Sequence, residues 1–481
     1  MRSSAGFFHP GVINTLGGLD SVRNRLAAGD PDLTAALEAL KRAVNDSTLP
    51  ACPAEDPTGA CYLPPQPVGP NVSGTPTTTV TCGSHSAAPP GDTTCDSEKA
   101  ASHAAYAHAL LWVLTQDPAE AQKATAYMDA WAGVTMHTGY ADPTNPVNTN
   151  YSDNSPLQSG WVGTMWARAA EIMRYTYPSW SGAQAFGNYL QGLVQYINLP
   201  VPNTTELENG NWQLTEADAW IQISVYNDNM TDYKAAVQKA LSSLKAYVYL
   251  TADGTTPTAG GDVVPCYSEY PSPHKSSGCG IDMWWGIAKA KGLLDGTAQE
   301  TCRDLEHVQY GLGSAVNAAE TVAIQKISGV DLYGDTTVKY GARLLAALEM
   351  HAKFLAGRSN YDGDPRNFTE TDPDLGWIQA PNANYTCNGK NYYTGETTQS
   401  TRTEFAPVDL SATRKSDYPV QPGWEMAYNH FVNVENMQMP NTLALLVPTS
   451  TFKGNRPVLA SHPLAWETLT KIGTGNIGFP P

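Results

Sequence analysis

The sequence lacks the long apolar stretches that membrane-spanning helices require. No run of apolar residues approaches the roughly 20 that a bilayer crossing needs. The first ten residues also lack the apolar core of about 7 to 15 residues that defines a secretory signal peptide. We therefore predict no transmembrane segment and no membrane partner, and we expect that a leader peptide was removed and a start methionine added.

Positive charge is scarce. The chain has 29 Lys and Arg against 46 Asp and Glu, a net charge of -17 over 481 residues. Such a balance argues against nucleic acid as a partner, since phosphate backbones are bound by clustered basic residues. An acidic substrate stays possible if a local cleft supplies the cations, because short-range pairing does not depend on the net charge.

Several familiar catalytic motifs are missing. The sequence contains no nucleophile elbow, Walker loop, dinucleotide fingerprint or His-Glu-x-x-His pattern, which argues against serine hydrolase, kinase, dehydrogenase and zincin activities. The run Asn360 to Asp364 lacks the downstream Glu of a regular calcium loop. We expect no required cofactor, with a structural cation as the alternative left open.

The cysteines predict disulfides, not a zinc site. There are eight, without a CxxC pair or a His at zinc spacing. Proximity favours Cys52 with Cys61, Cys82 with Cys95 and Cys266 with Cys279, leaving Cys302 with Cys387. Glycosylation sequons occur at seven asparagines: 45, 71, 150, 203, 229, 367 and 384. Together these features predict a secreted, extracellular glycoprotein.

Hydrophobic spacing predicts a mostly helical protein. Helical periodicity covers the ranges 34–45, 98–116, 119–134, 157–177, 183–197, 211–227, 231–249, 281–294, 299–326, 336–356 and 463–472. Ala-rich segments such as 101–114 allow close helix packing, as in concentric helical hairpins. Because the pattern continues on both sides of each long loop, we predict a single domain over 1–481. The Cys-rich loop 47–97 is the candidate lid within it.

One helix carries residues suited to proton transfer. Spacings of four and three place Arg303, His307 and Tyr310 on one helical face. A fixed cation, an imidazole and a phenol on one surface suit removal of a proton next to a carboxylate. The ordinary alternative is that His307 and Tyr310 pack in a core while Arg303 pairs with Glu300 or Glu306.

Two further clusters are candidates for substrate binding. Asn209 and Asn211 lie at the entrance of a predicted helix, where amide donors can bind a carboxylate, although either can serve as a simple N-cap. Residues 424–430 place Trp424, Tyr428, Asn429 and His430 close together, and one or two of them are expected to face a cleft. Trp212 and Gln299 complete the candidate substrate-binding set.

These motifs resemble the alginate lyase family of polysaccharide lyases, in the branch acting on alginate and glucuronan. The similar stretches are 8–12, 209–212, 299–312 and 424–430, of which 299–312 is the most specific. The resemblance implies an incomplete (α/α) toroid that cleaves 1,4-linked uronates by β-elimination, with polymannuronate favoured. The substrate is then an acidic polysaccharide and the protein a monomer.

By the same resemblance, Arg303 and Asn211 neutralise the substrate carboxylate, Asn209 being the less favoured amide, and Tyr310 moves protons. The chain departs from the family's Asn-His pair, having Gly210 and Trp212 around Asn211. The base therefore stays open among Tyr310, His307 and His430. The loop 47–97 is expected to be the lid.

Two other functions were weighed. An inverting glycoside hydrolase on a similar helical toroid needs two carboxylates about 6.5 to 9.5 Å apart, and Glu208, Asp218, Asp304 and Glu425 are available. A non-catalytic glycan-binding protein would use the cleft only for recognition. The lyase prediction is preferred because neither alternative accounts for the Asn, Arg and Tyr together.

Overall fold

The structure is a computed structural model. The described residues are 2–48, 62–63, 71–72, 75–76, 78–82, 93–138, 155–198, 210–254, 295–301, 305–359, 422–446 and 466–471. Within these ranges helices dominate, and the strands are only two or three residues long. The predicted all-α class is confirmed.

The helices are α1 (Leu16–Ala27), α2 (Pro31–Asn45), α3 (Thr94–Thr115), α4 (Pro118–Trp131), α5 (Ser155–Thr176), α6 (Ala183–Ile197), α7 (Gly210–Tyr226), α8 (Met230–Tyr247), α9 (Leu305–Gln325), α10 (Tyr340–Ser359), α11 (Trp424–Tyr428), α12 (Pro440–Leu446) and α13 (Glu467–Lys471). A π-helical turn, Asn429–Val434, follows α11. Antiparallel β1 (Asn71–Val72) and β2 (Thr75–Pro76) form one pair, and parallel β3 (Thr79–Thr81) and β4 (Met136–Thr138) form another.

The local sequence accounts for where several helices begin. Thr15, Asp30, Asp117 and Asn229 each accept a backbone N–H from the first turn of the helix that follows. Proline occupies the first helical position of α2 and α4, where its missing N–H costs nothing. Capping residues thus mark these starts in the sequence itself.

The helices pair into hairpins around an inner row. Helices α3, α5, α7 and α9 contact one another in succession, and α4, α6, α8 and α10 pack against them from outside. The inner helices α3, α5 and α7 are buried on nearly every face, which explains why their sequences are only weakly amphipathic. Gly160 and Gly163 of α5 lie against α7, where a Cβ would approach its side chains to 3.1 and 3.2 Å. This is the helical arrangement of an incomplete (α/α) toroid.

Most predicted helices are confirmed within a few residues, and three differences stand out. Helix α1 was not predicted, because its apolar residues are few and only Leu19 and Val22 are buried. Residues 299–301 are not helical, since 297–299 pairs with 247–249 as an extended segment. The predicted helix 281–294 lies outside the described residues.

Of the predicted disulfides, Cys82–Cys95 is confirmed, and it joins the end of β3 to the first turn of α3. The other three predicted pairs include residues outside the described ranges. The same applies to most of the candidate lid, residues 47–97, so its role stays a prediction. Among the helices that the structure describes, none combines the length and apolarity that a bilayer crossing requires.

The N-terminal segment is held against the inner helices by a buried histidine. His9 Nδ1 lies 2.6 Å from Glu171 Oε1, and its Nε2 lies 3.1 Å from Asp228 Oδ1. Its ring stacks on Tyr175 with centroids 4.5 Å apart. Burial by itself lowers the pKa of His9, but the hydrogen bonds and charges of Glu171 and Asp228 outweigh it and raise the pKa above 6.5.

A pH dependence of stability follows from this arrangement. The folded-state pKa of His9 is raised, so its stabilisation is complete below pH 6.5 and is lost as the pH rises through the folded value. We expect the melting temperature to fall between pH 6 and pH 8, and to fall less in His9→Gln. Thermal unfolding of both proteins at several pH values measures this. An identical pH dependence in the two would contradict it.

Candidate functional site

The hairpin arrangement gathers the N-terminal ends of the inner helices. Each outer helix returns the chain to its starting level, so α3, α5, α7 and α9 run in the same direction. Their N-terminal ends therefore lie at one end of the molecule, where the helix dipoles are positive. An anionic group is favoured at this end.

Tyr310 lies at this end, in the second turn of α9. Only 2% of the residue is exposed. Its ring meets the ring of Trp161 edge-on at 6.1 Å between centroids, and the ring of His307 at 6.0 Å. His307, one turn earlier on α9, is half-buried. A phenol and an imidazole thus share one small surface, as the spacing predicted.

A lysine and a tryptophan from the neighbouring helices complete this surface. Trp161 of α5 is 9% exposed, and Lys99 Nζ of α3 lies 5.9 Å from the centroid of its ring. Lys99 also pairs with Asp96 at 3.1 Å, but the Asp96 side chain is 65% exposed and solvent weakens that pair. The lysine charge is thus held near the Trp161 face.

Asn211 lies in the first turn of α7 and is fully buried. Its Nδ2 is 2.8 Å from both Glu300 oxygens, and its backbone N–H also donates to Glu300, at 3.2 Å. The preceding N–H, of Gly210, donates to Gln299 Oε1 at 3.3 Å. The side chains of Gln299 and Glu300 therefore cap the first two free N–H groups of α7.

Tyr247 joins the Asn211 and Tyr310 parts of the site. Its hydroxyl donates to Glu300 Oε2 at 3.0 Å. Its ring fills the space beside two glycines, where a Cβ on Gly210 would come within 2.0 Å of the ring and one on Gly311 within 2.9 Å. Since Gly210 precedes Asn211 and Gly311 follows Tyr310, one ring sets the positions of both.

A hydrogen bond one turn further fixes the register of α7 and α9. Thr215 Oγ1 lies 3.0 Å from Ser314 Oγ. Thr215 is four residues after Asn211, and Ser314 is four residues after Tyr310. Asn211 and Tyr310 therefore lie at the same level on adjacent parallel helices.

Behind this level lies a buried charged layer. Burial and the charges of Arg168 and Lys99 lower the pKa of His103 to about 3, so its imidazole is neutral at ordinary pH. Burial raises the pKa of Asp218 to about 7, although Arg168, with Nη2 3.8 Å from Asp218 Oδ2, acts in the opposite direction. The layer therefore places the Arg168 cation of α5 behind the site.

The structure brings together part of the predicted site. Asn211, Gln299, His307 and Tyr310 all lie at the N-terminal end of the inner helices. Gln299, predicted to bind substrate, is 4% exposed and accepts the Gly210 N–H. Trp212 is half-buried on α7 beside Asn211. Arg303 and Asn209 lie outside the described residues, so their roles stay predictions.

The residues of the Trp424 to His430 cluster face different neighbours instead of one common point. Trp424 is 1% exposed and its indole N–H donates to Leu348 O at 3.1 Å, so its ring has no free face for a sugar. Tyr428 is buried, which, with the charge of Glu349, raises its phenol pKa. Asn429 accepts from Asn433 Nδ2 at 2.8 Å.

His430 lies away from Tyr310. Its ring stacks on Tyr333 with centroids 3.5 Å apart, and its Nδ1 is 3.8 Å from Glu320 Oε2. Glu320 is ten residues beyond Tyr310 on α9, about 15 Å along the helix axis. His430 therefore lies toward the C-terminal end of α9, whereas Tyr310 lies near its N-terminal end. This separation argues against His430 as the base.

Lys99, Trp161 and Tyr247 were not predicted from the sequence, and Glu300 was predicted only as a possible partner of Arg303. The signals were present but weak. Trp161 lies in a Gly-Trp-Val-Gly segment, in which small residues flank a large ring, and no other Lys or Arg lies between Lys99 and Lys123. Neither pattern shows which residues meet when the helices pack.

The structure describes two of the four carboxylates available to a hydrolase, and both accept hydrogen bonds from buried protein groups. Asp218 is fully buried against Gln222, and Glu425 is 1% exposed and accepts the Thr468 hydroxyl at 2.6 Å. Glu208 and Asp304 lie outside the described residues. Among the residues described, no group of three His, Cys, Asp or Glu side chains is placed to hold a metal ion.

No family model matches the sequence, and no curated protein matches it at a significant level. Solved structures similar to this chain include an alginate lyase from Bacteroides ovatus, with TM-score 0.45, 12% identity, and coverage of 84% of this chain and 100% of that one. Alginate lyase A1-III from Sphingomonas species A1 gives TM-score 0.38 and 16% identity, covering 84% and 99%. An A1-III complex with tetrasaccharide gives 0.40 and 15%, covering 71% and 80%.

Proposed function

We propose that this protein is an extracellular polysaccharide lyase that cleaves a 1,4-linked uronate polymer by β-elimination. The observation that carries the proposal is the placement of Tyr310 beside His307 and Trp161, at the level of Asn211. The Tyr310 phenol and the Asn211 amide thus lie together near the N-terminal, positive ends of the inner helices. This arrangement suits a substrate that carries a carboxylate next to an acidic carbon.

The chemistry assigns each group a task. Removal of the C5 proton leaves electrons that spread onto the uronate carboxylate, so donors at that carboxylate stabilise the enediolate. Asn211 supplies an amide N–H, and Arg303 is proposed for the cation on the strength of its sequence position. As the C4=C5 double bond forms, the C4–O4 bond breaks and O4 takes up a proton.

Tyr310 is the proposed proton carrier. When the C5 proton and the leaving O4 lie on the same face of the ring, as in mannuronate, Tyr310 as the phenolate can accept the C5 proton and, as the phenol so formed, protonate O4. When they lie on opposite faces, as in glucuronate or guluronate, His307 is the proposed base and Tyr310 the acid. Trp161 limits the access of water to the phenol. We favour polymannuronate because a single buried phenol suffices for it.

Extracellular location is part of the same proposal. The Cys82–Cys95 disulfide and the even number of cysteines are typical of an oxidising compartment. Of the seven sequons, that at Asn45 ends α2 with an exposed side chain, where a glycan is sterically accessible. The protein is proposed to act as a monomer on an acidic polysaccharide outside the cell.

Incubation with polymannuronate, polyguluronate and glucuronan tests the activity. We expect an ultraviolet band from the conjugated C4–C5 double bond to grow with at least one polymer, and fastest with polymannuronate. Reducing ends without that band would show hydrolysis. Binding without any product would show a glycan-binding protein. Either of these results contradicts the lyase proposal.

A further inference from the structure

Glu300 is a buried carboxylate that the proposed chemistry does not use. It is fully buried, and it accepts hydrogen bonds from the side-chain amide and backbone N–H of Asn211 and from the Tyr247 hydroxyl. A carboxylate removed from water is costly unless donors satisfy it. The structure supplies those donors from α7 and α8 at the point where the substrate carboxylate is proposed to bind.

The contact with Glu300 fixes which way the Asn211 amide faces. A carboxylate only accepts hydrogen bonds, so the NH₂ of the amide, and not its oxygen, turns toward Glu300. The Asn211 Oδ1 is then directed elsewhere, and in the described part of the chain it has no hydrogen-bond partner. The carboxylate therefore selects one of the two orientations that an amide can adopt.

The same contact leaves one N–H of the amide unused. The two N–H bonds of an amide diverge by about 120°, and two carboxylate oxygens at equal distance from one nitrogen subtend less than half of that angle. With both oxygens 2.8 Å from Nδ2, a single N–H points between them. The second N–H is directed away from Glu300 and can donate to another acceptor.

We propose that Glu300 is a positioning residue that holds the Asn211 amide so that its second N–H meets the substrate carboxylate. This inference rests on the proposed lyase function. The terminal torsion of an amide side chain is broad, so an amide without a fixed partner samples several orientations. Ordering such an amide when the substrate reacts costs side-chain conformational entropy. Glu300 removes that cost in advance. A donor fixed before reaction contributes more to the transition state than a mobile one.

A purely structural role is the alternative, since Glu300 also caps the α7 N-terminus. A cap contributes to folding stability but does not change turnover by the folded enzyme. The two roles therefore differ in kcat measured well below the melting temperature. They also differ in whether the effect of Glu300 depends on Asn211.

The test is a double-mutant cycle of Glu300→Gln and Asn211→Ala, with kcat, KM and melting temperature measured for all four proteins. We expect Glu300→Gln to lower kcat by about 30-fold with KM changed less than about threefold, because glutamine offers one acceptor in place of two. In the Asn211→Ala background the same substitution should change kcat by less than about threefold. A full 30-fold loss in both backgrounds would overturn the proposal, because Glu300 would then act without Asn211.

Glu349→Gln is the matched control. Glu349 accepts the backbone N–H groups of Asn441 and Thr442 in the first turn of α12, so the same substitution at a different helix cap is expected to change kcat by less than about threefold. A crystal structure of Glu300→Gln gives a readout that needs no turnover. An Asn211 amide rotated from its present orientation supports the proposal, and an unchanged one overturns it. If the wild-type protein forms no unsaturated product, the lyase function fails while this crystal structure still decides the role of Glu300.

Discussion

Tyr310→Phe is expected to lower kcat on the preferred uronate polymer by about a thousandfold, within the range of about 10² to 10⁴ that general acid–base groups contribute. The substitution removes the hydroxyl that carries the proton and keeps the ring that packs on Trp161 and His307. KM should change little, since the ring still shapes the site. The rate of ultraviolet absorbance increase measures the effect, and thermal unfolding confirms that the variant is folded.

Tyr233→Phe is the matched control for this substitution. Tyr233 is also buried and also packs against an aromatic ring, that of Phe7, with ring centroids 5.2 Å apart. Its hydroxyl, however, has no hydrogen-bond partner among the described residues. Removing that hydroxyl should leave kcat unchanged. If Tyr310→Phe keeps more than a tenth of the wild-type rate, the phenol is not the proton carrier, and His307 becomes the residue to substitute.

The sequence predicted those features that depend on neighbours along the chain. Helical periodicity located the helices, and a spacing of three residues correctly placed His307 and Tyr310 on one surface of α9. Local proximity was enough for Cys82–Cys95. Each of these rests on short-range geometry, which a single sequence encodes directly.

Contacts between distant segments could not be predicted in this way. Asn211 and Glu300 are 89 positions apart, and the Lys99 and Trp161 contact joins different hairpins. Periodicity also misjudged residues 299–301, whose polar side chains fit a helix but which form a turn after the pairing of 297–299 with 247–249. His430 was grouped with Tyr428 by adjacency alone, whereas the direction of the helix carries it toward Glu320.

The extended segment that carries Glu300 depends on a buried ion pair nearby. Arg343 of α10 is 1% exposed, and its Nη1 donates to Asp253 Oδ2 and to Val248 O, both at 2.6 Å. Its Nη2 also pairs with Asp253 Oδ1, and Nε donates to Val338 O at 2.6 Å. This bidentate pair holds residues 248–253 against α10.

That anchoring reaches the site through backbone pairing. Tyr249 N–H donates to Thr297 O at 2.8 Å, and Gln299 N–H donates to Tyr247 O at 2.8 Å. Residues 247–249 thus hold residues 297–299 in place through backbone hydrogen bonds. Because Glu300 follows Gln299 directly, this backbone pairing also fixes the position of Glu300. Loss of the ion pair between Arg343 and Asp253 would therefore loosen the segment 297–300, whose Glu300 holds Asn211.

Asp253→Ala is expected to lower the free energy of unfolding by about 3 to 5 kcal/mol, because it leaves the Arg343 guanidinium buried without its counter-charge. Denaturant unfolding measures the loss, and the temperature at which activity disappears should fall with it. Asp20→Ala, which breaks an exposed pair with Arg23, is the control and should change stability by less than about 0.5 kcal/mol. Equal effects of the two substitutions would show that the Arg343 pair is not what fixes the Glu300 segment.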